Sequence, residues 1–426
     1  MKKVVLVGGA TGREHAIAKQ FYESKKYELS AILWAENEYV KKCCNGKFLK
    51  IDLDDVSAVF EAILQLKPAY VIIGQGEVIQ RGLCDMLKEA GIPCIGPTKK
   101  LAQLEGSKTF CRDLLEEINP SLNPKHKDFY EVNDELEKYI NEFTTSVVVK
   151  CDGVITGPRV RIYGLNEKAE ALNNAKNWLQ QYGHIIVEEF IEGHEVAIMS
   201  YTDGKNLVHT PVFKNHKRIG EGNTGENTSG MGTITGKQCF PYINENAIKK
   251  MHNITEEVMN TINKKYNQQY LGSLYGEFLV SGDNVKVIEY NCRFGNPSMM
   301  NILAIMKITF PELCEHILNG TIGELDNIFD DEIVSMSAYV VPKDYTLNKN
   351  YVGTEVDFSN INKDVFYCGN MKYIDNKFYL KYSRAFAVCA TAKTIEEARK
   401  KVYGELSKVR GEIYYRKDIG GNLEWK

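Results

Sequence analysis

Hydrophobic positions along this chain fall into short unbroken runs near the start and into alternating or helix-spaced patterns further on. Residues 3–8 (KVVLVG), 31–34 and 70–73 are compact apolar runs separated by helical patterns, the mark of parallel strands buried on both faces. Residues 1–97 are therefore expected to form a small doubly wound α/β domain. Thr98 is placed to cap a helix reaching about Glu117, with Leu101, Leu104, Cys111, Leu114 and Leu115 on one side and Lys108 off that stripe. Residues 121–200 predict a compact α/β unit with strands at 146–150, 160–163 and 185–191, followed by EVAIMS. Residues 206–240 carry no clear period. A helix over 244–263 follows, its inner stripe made by Ile248, Met251, Thr255, Val258 and Ile262. Strand 275–280 then pairs with 285–291 across Ser281-Gly282-Asp283-Asn284. After about residue 330 short strands restart, beginning at 333–341. A helix over 394–409 and a tail containing Arg416-Lys417-Asp418 complete a small α+β domain.

The candidate chemistry centres on VKVIEYNCRFGNP (285–297). Strand alternation puts Val285, Val287, Glu289 and Asn291 on one face and Lys286, Ile288 and Tyr290 on the other. A carboxylate and an amide oxygen two residues apart suit a hard cation, Mg²⁺ or Mn²⁺. Arg293 continues the same parity before Gly295 and Pro297 end the strand. The plain alternative is a half-buried edge strand with a surface salt bridge. Glu277 has two possible placements. A two-residue turn at Gly282-Asp283 sets it opposite Ile288, facing away from the metal; a register shifted by one sets it opposite Glu289 as a second acidic ligand. We expect the second.

Other stretches add phosphate chemistry. Lys150 ends a buried strand beside a glycine-containing turn, a credible nucleotide-phosphate ligand. Gly8, Gly9 and Gly12 precede a helix starting near Arg13, a general anion site whose spacing is not a full dinucleotide fingerprint, which disfavours a NAD-dependent role. Gly74, Gly76 and Glu77 follow a strand at its C-terminal end, where open α/β sheets bind ligands. Glu188 and Glu189 are adjacent, so they face opposite ways. KNHKRIGEGNTGENTSGMG combines five glycines with Lys214, His216, Lys217 and Arg218. Glycine density of this kind permits close backbone approach to a ligand, the alternative being a solvated loop.

Composition narrows the class. The 53 Lys and Arg against 56 Asp and Glu give a net charge of −3, which argues against a bulk nucleic-acid binder but not against a local phosphate pocket. No apolar run reaches membrane-spanning length, and the opening lacks the long apolar stretch of a signal peptide. The 11 cysteines contain no CxxC pair and are expected as reduced thiols in a cytoplasmic protein. The expected partners are small-molecule substrates, with neither nucleic acid nor membrane, for a monomer or homodimer. No Ser–His or Cys–His arrangement suggests a nucleophilic side chain.

The ordered set GATGREHA, IGPTKKLAQLEGSK, VVVKCDG, VEEFIEGHE, NHKRIGEGNTGENTSGMG, IEYNCRFGNP and RKDIG strongly resembles the glycinamide ribonucleotide synthetases of the ATP-grasp superfamily, and LYGEFLV, MMNIL and SAYVVPKDY resemble its archaeal branch. The resemblance spans nearly the whole chain. It implies an N-terminal Rossmann-like domain (1–97), a two-lobed ATP-grasp unit (main lobe 98–120 and 192–328, small lobe 121–191) and a C-terminal α+β domain (329–426). It further implies an ATP-dependent joining of glycine to 5-phosphoribosylamine. By the same resemblance Lys108 and Lys150 match the ATP-phosphate lysines, Glu188, Glu189 and Ile191 the adenine hinge, and Glu195 the ribose contact. Glu289 and Asn291 match the metal ligands, to which the shifted hairpin register adds Glu277. Arg293, Lys217 and Arg218 fall where catalytic cations are expected. Gly9, Arg13 and Glu14, with Asn227, Thr228 and Gly295, fall where substrate is expected.

The departures cluster in these motifs. The family's Gly-Lys-Gly loop is Gly157-Pro158-Arg159 here, with Arg159 as the replacement cation. Asn215 stands for an aspartate, Glu226 for a proline and Ser229 for a glycine, while Asn296 and Ser298 replace Asp and Glu. Gly-Pro-Glu becomes Gly74-Gln75-Gly76-Glu77. Up to three negative charges near the acceptor amine are lost, of which Glu226 is positioned in sequence to restore one. Two further readings follow from this: a ligase using another amino acid or amine, and a weakly catalytic nucleotide-binding protein.

Overall fold

The computed structural model describes residues 1–153 and 160–421. Strand Lys2–Gly8 is the centre of a five-stranded parallel sheet. Tyr27–Leu33 and then Phe48–Lys50 lie to one side, Tyr70–Ile73 and Cys94–Ile95 to the other. Its alternation explains the unbroken apolar run. Val5 and Val7 pack with Val59 and Ile63 of helix Val56–Leu66, while Val4 and Leu6 pack with Ile17 and Phe21 of helix Gly12–Ser24.

Four antiparallel strands form a second sheet in the order His126–Phe129, Ile185–Glu189, Val147–Cys151 and Val160–Tyr163. Helices Asp134–Glu142 and Lys168–Tyr182 cover it with a core of its own, including Leu136, Ile140, Ala171 and Leu179.

The largest sheet runs Asn284–Asn291, Gly272–Ser281, His194–Thr202, Phe213–Asn215, Gly232–Thr235, Val334–Pro342, Phe386–Ala392 and Phe366–Cys368. Val334–Pro342, the first strand of the expected C-terminal unit, pairs directly with Gly232–Thr235. The sheet therefore continues through residue 330. The absent side chain of Gly232 allows this contact, because a Cβ there would collide with the Ser337 carbonyl and Ile419.

Two expectations need correction. Residues 206–240 are not irregular: they contain strands Leu207–His209, Phe213–Asn215, Arg218–Gly220, Thr224–Asn227 and Gly232–Thr235. Each is too short for its periodicity to register. The helix from Thr98 is broken at Ser107, whose backbone is extended (φ −138°, ψ 121°), into Gln103–Gly106 and Lys108–Ile118. Ser107 caps the second piece by accepting from Phe110 N–H at 3.1 Å, while the Thr98 hydroxyl donates to Gln268. Among the described residues no helix is long and apolar enough to cross a membrane.

Candidate active site

A cleft of about 740 Å³ lies where the three sheets meet. Its floor is the hairpin of Gly272–Ser281 and Asn284–Asn291, and a bulge in that hairpin makes the site possible. The turn is tight, with Ser281 opposite Asn284 and Phe278 opposite Val287, yet Glu277 pairs with Glu289. Neither uniform register allows this. The extra residue is Ile288, and it reverses the strand's parity. Val285, Val287 and Tyr290 pack into the core, while Glu289 and Asn291 turn to the cleft beside Glu277. The expectation that Val285 and Val287 share a face with Glu289 is thus wrong; the shared face of Glu289 and Asn291 is right.

Arg112, which sequence reasoning missed, fixes the bulge. Its guanidinium donates to the carbonyls of Val287 and Ile288, each at 2.9 Å. It also donates to both Glu188 oxygens, at 2.9 and 3.3 Å. The Lys150 ammonium reaches the same carboxylate at 2.6 Å. Glu188 is 2% exposed, so its carboxylate is turned inward onto two cations. Its neighbour Glu189 faces the other way and accepts from the Lys125 N–H at 2.8 Å. Burial works against the Glu188 charge, but Arg112 and Lys150 outweigh it and hold the carboxyl at about 2. Burial lowers Lys150, and Glu188 offsets this only in part.

The Glu188 shift predicts acid sensitivity. A carboxyl depressed from its ordinary 4.5 to about 2 contributes stability that is present above pH 4.5 and is lost as pH falls toward 2. The size is about 3 kcal/mol. Urea titrations across this window should show that loss, and Glu188→Gln should flatten it. An equally steep loss in the variant would place its origin elsewhere.

Around Glu289 the charges are mixed. Burial disfavours its ionised form, but Lys217, Lys108, Lys150 and Arg293 together keep its carboxyl below the ordinary range. Burial raises Glu277, with Lys217 opposing and Glu289 and Glu195 adding to the rise. Lys217 pairs with Glu277 and, at 3.0 Å, with Glu195. Arg293 donates to Asn291 Oδ1 at 3.0 Å and lies 3.4 Å from Glu105, a partly buried side chain that also accepts from Cys292 N–H at 2.8 Å. Lys108 is set by its helix start: its N–H donates to Asp152, and its ammonium reaches the Gly153 carbonyl at 3.4 Å. Two carboxylates and an amide oxygen on one wall form an oxygen donor set that fits a hard divalent cation.

The remaining candidates divide. Gly9, Arg13, Ile191, Glu195, Asn227 and Thr228 line the cleft. Glu14 does not: it is fully buried and engaged by Thr11 and by Arg13 at 2.6 and 2.8 Å. Gly295 does not line the cleft either, because it packs against Ser298 beneath it. Arg218 reaches the cleft wall, but its guanidinium donates to the Gly225 carbonyl at 2.8 Å.

The departures also find places. Asn215 donates to the Tyr275 hydroxyl at 2.7 Å and accepts from Thr233, and Tyr275 in turn donates to Glu277. Asn296 accepts from the Tyr339 hydroxyl at 2.8 Å. Ser298 is buried, and its hydroxyl has no partner among the described residues. Glu226 is exposed and does not line the cleft, so it restores no charge there. Pro158 and Arg159 lie outside the described residues.

Three family models cover most of the chain. They are the N domain (residues 2–105), the ATP-grasp (A) domain (106–299) and the C domain (334–422) of phosphoribosylglycinamide synthetase. The chain is 33% identical to the phosphoribosylamine–glycine ligase of Methanococcus maripaludis, covering 98% of this chain and 96% of that protein. It is 33% identical to the ligase of the same name from Methanocaldococcus jannaschii, with the same coverage. The fold is similar to the crystal structure of phosphoribosylamine–glycine ligase from Thermotoga maritima (TM-score 0.81, 24% identity, 97% of this chain and 99% of that one). It is also similar to a biotin carboxylase domain of Hydrogenobacter thermophilus 2-oxoglutarate carboxylase in complex with MgADP and bicarbonate (TM-score 0.75, 15% identity, 99% and 94%). With a full-length relative at this identity and all three domain models matched in order, the chain belongs to the phosphoribosylglycinamide synthetase family.

Proposed function

We propose that this protein is an ATP-dependent carboxylate–amine ligase that joins glycine to 5-phosphoribosylamine, giving glycinamide ribonucleotide, ADP and phosphate in purine biosynthesis. The observation that carries the reading is the pair Glu277 and Glu289, set opposite each other by a bulge and ringed by Lys108, Lys150, Lys217 and Arg293. A wall with both carboxylates and cations suits phosphoryl transfer, where positioning and charge neutralisation do most of the work.

A carboxylate is a poor electrophile because its leaving group would be oxide. Transfer of the γ-phosphoryl group to a glycine carboxylate oxygen makes glycyl phosphate. The amine nitrogen then attacks the acyl carbon, and phosphate leaves with that oxygen. In this chain Lys108 and Lys150 hold the nucleotide phosphates. Glu188, Glu189 and Ile191 form the adenine hinge, Glu195 takes the ribose, and Arg293 stabilises charge on the phosphoryl group in flight. Glu277, Glu289 and Asn291 hold Mg²⁺ or Mn²⁺, which neutralises phosphate oxygens when bound. Gly9 and Arg13 serve the phosphoribosyl side, and Asn227 and Thr228, which line the same cleft, also bind substrate. No nucleophilic side chain is needed. The protein works on these small molecules in the cytoplasm.

Phosphate release from ATP should require both glycine and freshly prepared phosphoribosylamine. Release with a different amino acid or amine, and none with this pair, would mean that Asn215, Asn296 and Ser298 mark another specificity.

A further inference from the structure

The C-terminal motif Arg416-Lys417-Asp418 lies outside the cleft, yet it holds one of the cleft's walls. Among the described residues, strands Arg218–Gly220 and Thr224–Asn227 form a two-stranded ribbon that joins no other sheet. Such a ribbon is barely stable alone. It carries Asn227 and Thr228 to the cleft and follows directly on Lys217, whose carbonyl accepts from both the N–H and the hydroxyl of Thr228 at 2.7 Å.

The tail grips the turn of this ribbon. Arg416 is 0% exposed. Its guanidinium donates twice to Asp418, at 2.8 and 2.6 Å, and with its remaining arm to the Arg218 carbonyl at 3.0 Å and Asn223 Oδ1 at 3.1 Å. Asp418 also accepts from Gly222 N–H at 2.9 Å, and Lys417 N–H donates to Glu221 at 3.1 Å. The tail is itself tied down. Arg399 donates to the Lys417 carbonyl at 3.1 Å and to that of Ile419, whose side chain is fully buried. A two-toothed guanidinium–carboxylate pair has a fixed planar geometry, so it transmits position as well as charge.

We propose that Arg416 and Asp418 are positioning residues for the ligase reaction. By clamping residues 218–223 they set the ribbon over the acceptor side of the cleft and hold Lys217 at the Glu277 carboxylate. The kinetic part of this inference rests on the proposed function; the clamp itself does not.

The test compares the full-length chain with Asp418→Asn and Glu221→Ala. The second removes an exposed side chain that holds only the tail backbone, so it leaves the fold intact. Hydrogen exchange of residues 218–228 should quicken at least tenfold in Asp418→Asn and several-fold in Glu221→Ala, with exchange in the five-stranded sheet unchanged. KM for glycine or phosphoribosylamine should rise about tenfold in Asp418→Asn while KM for ATP stays within twofold, and Asp418→Glu should recover part of the loss. Unchanged exchange at 218–228 in both variants would overturn the clamp. Quickened exchange with unaltered kinetics, in an enzyme that turns over this substrate pair, would overturn the positioning role. Absence of turnover in the parent chain would instead count against the function, with the exchange result still deciding the clamp.

Discussion

Glu289→Gln is expected to lower kcat at least about a thousandfold, equivalent to about 4 kcal/mol of transition-state stabilisation. Its carboxylate faces the cleft, and four cations keep it ionised against its burial. An amide of nearly the same shape removes the charge that a divalent cation needs. The loss of stability should be small, because Glu289 is only partly buried and solvent screens its attraction to the four cations. A melting temperature within a few degrees of the parent, measured alongside turnover, separates the two effects. Near-normal turnover would sink the metal assignment.

The second large effect concerns stability. Arg112→Met keeps much of the side chain's volume but leaves Glu188 with Lys150 alone and strips the donor from two carbonyls of the bulge, one of them buried. Breaking one partner out of a buried ion network typically costs about 3–5 kcal/mol. Urea unfolding should show a loss of that size. Activity should also fall, because the bulge sets the direction of Glu289. Adding Glu188→Gln should restore part of the stability, since the unpaired carboxylate is then gone. Simple addition of the two losses would mean that Arg112 and Glu188 act independently, contrary to their contact distances.

Much of this site is legible in the sequence because it rests on local patterns. The apolar runs at 3–8 and 70–73 predict parallel strands, and the two-residue spacing of Glu289 and Asn291 predicts their common face. What the sequence hides is non-local. A bulge leaves no mark in the alternation of one strand, and only the register across the hairpin reveals that Ile288 is the extra residue. Arg112 is one charged position beside an apolar stripe, and its partner Glu188 lies 76 residues further on. Glu14 fits a substrate motif by position, but Thr11 and Arg13 turn it into a buried pivot. The break at Ser107 is equally hidden, because it depends on Asp152 arriving from another sheet. The continuity of the large sheet through residue 330 depends on the close approach of Gly232 to Ser337, which no pattern within either strand announces.

The central claim is that this cleft activates a carboxylate by phosphoryl transfer before the amine attacks. It is tested most directly by running the reaction with glycine labelled with ¹⁸O in both carboxylate oxygens and analysing the released phosphate by mass spectrometry. The account predicts one ¹⁸O atom in each phosphate formed, with release dependent on phosphoribosylamine. Phosphate free of ¹⁸O, formed alongside the amide product, would contradict it.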